Sequence, residues 1–245
     1  MEYSDTFGKA RLAGYAISLV IVIISTVVRG IFIKVASIVK FKSNSQRIHF
    51  VIVSLFSVLF AYYGILYLVT PLRLEIPLIS YFTIGVYWDF NQYWFVDVGY
   101  QIASVLFIKA FFPPTEFITK YSLWFFLRSL DQRRCCRKLP PERTSQKTLF
   151  GYMKLYSGRE FEIYKEYSLL IMFTWVTFLF APGLPILFPI GLIYMIVLYT
   201  TDRLTLAYWH RRPPVFDEHM NETTIRLLST APLLYACMAA WLYGN

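Results

Sequence analysis

Residues 167–201 run for 35 positions without a charged side chain, and Ala181-Pro182-Gly183-Leu184-Pro185 stands in their middle. One helix of that length would measure roughly 52 Å, far beyond the ~30 Å hydrocarbon layer of a bilayer. Pro182 and Pro185 cannot donate to a continuing helix, and Gly183 tolerates a turn. The run therefore predicts a transmembrane hairpin, spans 164–181 and 185–203, turned at Pro182, Gly183 and Pro185. Its charged flanks, Glu166 before and Asp202 after, then lie on one side. A re-entrant hairpin that never crosses is the rival reading.

The rest of the chain has the same character. Apolar residues make up 57% of 245, and apolar stretches predict further spans at 12–28, 48–72, 94–112 and 227–243. The expectation is one all-α polytopic membrane domain over residues 1–245, with about six transmembrane helices. Pro113-Pro114 stops or kinks the third span, and residues 115–130 either continue it or lie at the interface. Tyr87, Trp88, Tyr93 and Trp94 suit a headgroup-level belt.

The net charge of +9 does not imply nucleic acid, because the basic residues lie between the apolar runs. Residues 29–47, 128–165 and 202–226 hold five, ten and four Lys or Arg, against two and one in residues 1–11 and 71–97. By the positive-inside rule the basic loops are cytosolic and both termini lie on the opposite side. The stretch 129–157, with Pro140-Pro141 and Ser/Thr punctuation, reads as a cytosolic linker with an amphipathic end.

Few residues invite chemistry. Lys109 lies in an otherwise apolar stretch, where a cation faces a partner or water or else snorkels; it and Gln101, eight residues earlier, are candidate pore-lining residues. Glu116, Glu166 and Asp202 end three different spans on one side and are candidate metal ligands, for which Ca²⁺ is the conceivable ion; pairing with neighbouring Lys165 or Arg203 is the competing reading. No other cofactor is expected. His210, Asp217, Glu218 and His219 match no metal spacing and read as a solvated loop. Cys135 and Cys136, in the basic linker, are candidate lipidation sites. Asn221-Glu222-Thr223 fits a glycosylation acceptor, silent on the cytosolic side. No nucleophile, acid/base pair or metal triad emerges within the spans, so no enzyme is expected.

Several of these residues carry a resemblance. Glu166-Tyr167, Thr177-x-x-Phe180, the run from Phe180 through Ala181-Pro182-Gly183-Leu184-Pro185 to Pro189, Asp202 and Arg211-Arg212-Pro213 resemble the inner hairpin of the anoctamin superfamily, nearest its OSCA branch of hyperosmolality- and stretch-gated cation channels. Trp94-Phe95-Val96-Asp97-Val98-Gly99, leading to Gln101 and Lys109, resembles the preceding pore helix. The resemblance implies that the chain corresponds to the middle and later helices of a longer fold, as a fragment or a short form. Leu169 and Leu198 stand where two acids of the anoctamin calcium site would be, which points to the branches without that site.

The expected function is that of a membrane transport protein: a stress- or tension-gated, cation-permeable channel, including calcium among its ions, or the core of one. The alternatives are an anoctamin-like phospholipid scramblase and a non-transporting structural subunit. Expected partners are membrane lipids and inorganic cations, with a homo-oligomer or helices supplied by another chain.

Overall fold

The computed structural model describes residues 30–32, 34, 35, 38, 39, 41, 43–69, 71, 87–131, 144, 146–158, 160–211 and 218–244. The expected first span, 12–28, lies outside them. Among the described residues the regular structure is helical and no β-strand forms.

Helix α1 starts at Asn44, four residues before the expected span. Extended Ser43 caps it, its hydroxyl accepting from the Gln46 N–H at 3.2 Å. It runs through Phe60, a π-helical turn at Ala61–Leu66 and a last turn at Tyr67–Val69. Helix α2 comprises Gln92–Trp94, capped by the Asn91 carboxamide at 2.9 Å, then π-helical Phe95–Gly99 and Tyr100–Ala110. Phe111 breaks the helix at φ −95°, ψ 4°, and α3, Phe112–Asp131, leaves at 44° to α2. Pro113 and Pro114 sit in the first turn of α3, where a missing N–H costs least.

Helix α4, Leu149–Tyr156, forms within the stretch expected to be linker. Helices α5, Ile163–Phe180, and α6, Leu187–Tyr208, follow, and α7 covers His219–Gly244 with Pro232 inside it. Among the described residues four helices are long and apolar enough to cross a membrane, in residues 45–69, 163–180, 187–208 and 220–244, and the bent pair α2–α3 makes a fifth if it is one span. The chain has the helices of an integral membrane protein. Leu192, Ile196 and Leu233 point outward with more than half of their surface exposed, as lipid-facing positions do.

Helix α5 is the centre of the packing. Ile171, Met172, Phe173 and Val176 are at most 1% exposed. On one side α1 lies against it: Ser168 donates to the Ile52 carbonyl at 3.1 Å, and Phe56 and Phe60 meet the Trp175 ring edge-on at 4.9 and 5.1 Å. On another, the Trp175 indole donates to the Leu227 carbonyl of α7 at 2.8 Å. Between α5 and α6, Phe173 stacks on Tyr194 at 3.9 Å and 8° from parallel, Gly191 lets the Thr177 methyl approach, and Phe178 meets Phe188 at 5.8 Å.

The segment from Ala181 to Ile186 joins these two helices. The Gly183 and Leu184 N–H groups both donate to the Phe180 carbonyl, and the Tyr243 hydroxyl of α7 donates to the Pro182 carbonyl at 2.8 Å. A Cβ at Gly183 would come within 2.5 Å of the Phe95 ring, so any larger residue there would displace that ring of α2 from the turn.

Candidate functional site

A cavity of about 130 Å³ opens where the α2–α3 bend meets the first half of α5 and the second half of α6. Each wall follows from local sequence. Lys109 lies one residue before the end of the last α-helical stretch of α2, and the break at Phe111 turns Glu116 and Lys120, one helical turn apart, toward α5. Glu162 and Glu166 come from the entry and first turn of α5, and Asp202 from the exit of α6. Tyr121, Trp124 and Trp209 crowd together beside them, with the Tyr121 and Trp209 rings 4.1 Å apart.

Five carboxylates, of Glu116, Glu160, Glu162, Glu166 and Asp202, face the cavity against two ammonium groups, of Lys109 and Lys120. The Lys109 ammonium lies 3.7 Å from the ring centroid of Tyr63 on α1. Glu116 pairs with Lys120 at 2.7 Å and with Lys165, whose ammonium is also 3.9 Å from Glu166. Lys165 is 6% exposed, so its charge is held in the wall by carboxylates from two helices. Among the described residues no cation lies within ion-pair distance of Asp202; Arg203 reaches the Tyr199 hydroxyl at 3.5 Å.

Glu116, Glu166, Asp202 and Lys109, drawn from three separate stretches of sequence, therefore share one cavity. The donor set does not fit Ca²⁺, which takes six to eight oxygens. Two ammonium groups already occupy Glu116, and among the described residues no group of three or more His, Cys, Asp or Glu side chains is placed to hold a metal ion. Gln101 is exposed on α2 and does not line the cavity. Pro182, Gly183 and Pro185 lie in the connection between α5 and α6.

His210 does reach the cavity, its Nδ1 3.2 Å from the Thr205 carbonyl oxygen and its ring edge-on to Phe161. Glu218 is exposed, while Asp217 and the His219 side chain lie outside the described residues, as do Cys135 and Cys136. The Asn221 carboxamide accepts from the Tyr167 hydroxyl at 2.7 Å.

Two features escape the sequence reading. Lys165 appears there only as a partner for its neighbour Glu166, although the approach of Glu116 makes it a link between helices. Tyr63 carries no local sign that it sits under Lys109. Comparison of the chain with protein-family models, curated proteins and solved structures found no match.

Proposed function

We propose that the chain is a membrane transport protein, a cation-permeable channel opened by membrane stress or tension, or the core of one. The observation that carries this reading is the convergence of five carboxylates on the cavity between the α2–α3 bend, α5 and α6, where Lys165, Lys120 and Arg211 pair with Glu116, Glu166 and Glu160 while Asp202 has no cation within ion-pair distance among the described residues. A ring of carboxylates in a low-dielectric surround raises the local concentration of cations and repels anions. The anoctamin and OSCA resemblance of the stretch around Pro182 and Gly183 agrees with it. In this reading α5 and α6 form a transmembrane hairpin within a six-span domain, the basic loops are cytosolic, and both termini lie opposite.

A second reading, the phospholipid scramblase, is favoured by one feature. The cavity presents both signs of charge, with Lys109 and Lys120 beside the acids, and that suits a zwitterionic headgroup.

Reconstitution in liposomes tests both readings, with current under applied tension and exchange of labelled lipid measured on one preparation. Current without lipid exchange supports the channel and exchange supports the scramblase. Neither from folded protein would leave the structural subunit. A glycosidase-sensitive mass shift at Asn221 would reverse the proposed orientation.

A further inference from the structure

Helix α4 is only eight residues long, too short to persist in water by itself. Its amino end is capped by Thr148, whose hydroxyl accepts from the Gly151 N–H at 3.1 Å. Its carboxyl end is clasped to α3. The Arg128 guanidinium donates to the Leu155 and Tyr156 carbonyls at 3.1 and 2.5 Å while lying 3.2 Å from the Trp124 ring centroid. Asp131, 6% exposed, accepts from the Tyr156 and Thr144 hydroxyls, both at 2.7 Å. These contacts fix the side of α4 that carries Leu155 and Tyr156 against the last turn of the bent pair α2–α3, itself apolar enough to form a span.

Most of the apolar side chains of α4 are nonetheless exposed. Leu149 and Phe150 are 77% and 78% exposed, and Met153 and Tyr152 are 50% and 43% exposed. At 100° per residue, Leu149, Met153 and Phe150 fall on one arc of about 100°, opposite Leu155 and with Tyr156 at its edge. Lys147 stands just before the Thr148 cap, Lys154 lies in the helix, and Arg133, Arg134, Arg137, Lys138 and Arg143 precede it in sequence. An exposed apolar arc beside Lys147, within a stretch of sequence rich in Lys and Arg, matches the acyl and headgroup boundary of an anionic leaflet.

We propose that α4 is an interfacial helix that seats Leu149, Phe150 and Met153 in an anionic leaflet, held at that level by the Arg128 and Asp131 clasp. The proposal stands apart from any transport activity. Its test uses the full chain with Cys135, Cys136 and Cys237 replaced by serine and one spin label at a time, on Phe150→Cys or Met153→Cys, in nanodiscs of phosphatidylcholine with and without phosphatidylserine. Collisions with oxygen, which partitions into lipid, are compared with collisions with a water-soluble nickel chelate. Both labels are expected to favour oxygen, at a depth of about 5–10 Å, and to rise toward water when Lys147 and Lys154 are replaced by glutamine in the phosphatidylserine discs. Labels that favour the nickel chelate would overturn the proposal, because the helix would then lie in water. Labels shielded from both reagents would overturn it too, with another segment of the chain or a second copy covering the arc. Agreement at both positions guards against a local effect of either substitution.

Discussion

The Lys165 ammonium hydrogen-bonds the Glu116 carboxylate across forty-nine residues of sequence, tying the first turn of α5 to the helix that leaves the α2–α3 bend. Breaking a buried pair strands its other member, whereas removing both does not. Lys165→Met is expected to cost about 3 kcal/mol and Glu116→Gln a comparable amount. The double variant should lose clearly less than the sum. Thermal unfolding of the four proteins in one detergent gives the coupling, and strictly additive losses would show that the pair does not hold α3 to α5.

Lys109 is the cation of the cavity nearest α1, resting on Tyr63. If ions pass through this cavity, Lys109→Glu replaces a repelling charge with an attracting one and should shift the reversal potential toward greater cation preference. Losing the ring contact should cost about 0.5–2 kcal/mol of stability. Currents from folded Lys109→Glu protein with unchanged selectivity would remove Lys109 from the pathway while leaving a channel elsewhere in the chain.

Gly158 stands at the cavity rim, where its carbonyl accepts from the Arg211 side chain at 2.8 Å. A Cβ there would lie 2.5 Å from the Trp209 carbonyl oxygen and 3.2 Å from the Arg211 nitrogen. Those neighbours are backbone, so no rotamer change relieves the clash. Gly158→Ala should destabilise the protein by about 1–3 kcal/mol, and a melting temperature equal to that of the parent would refute this close approach.

Tyr87 donates its hydroxyl to Asp97. That bond stabilises the neutral phenol and, with some desolvation, raises its pKa above the ordinary tyrosine value of about 10. A raised folded-state value means that the contribution to stability is complete below the unfolded value and is lost as pH rises through the folded one. Tyr87→Phe should therefore be less stable than the parent at neutral pH, and the difference should shrink in alkaline solution. A stability gap that widens with alkali would contradict the bond.

Hydropathy by itself placed most of the long apolar helices among the described residues. The uncharged residues 167–201 with Pro182 and Gly183 at their centre yield two helices with their break at those residues, and Pro113 marks the α2–α3 bend to within two positions. It also placed Glu116, Glu166 and Asp202 on three different helical segments. These are sums over a local window, and they hold however a helix is rotated about its axis. Only the tertiary structure decided what those side chains meet. Gln101 and Lys109 share α2, yet Lys109 lines the cavity and Gln101 does not. Lys165 finds Glu116, and Arg128 with Asp131 turns part of an apparent linker into a fixed helix. A side-chain pair requires both rotation and spacing of two helices. Those depend on close approaches such as Gly64 against Leu179 and Gly191 against Thr177, contacts between residues far apart in sequence that no local window contains.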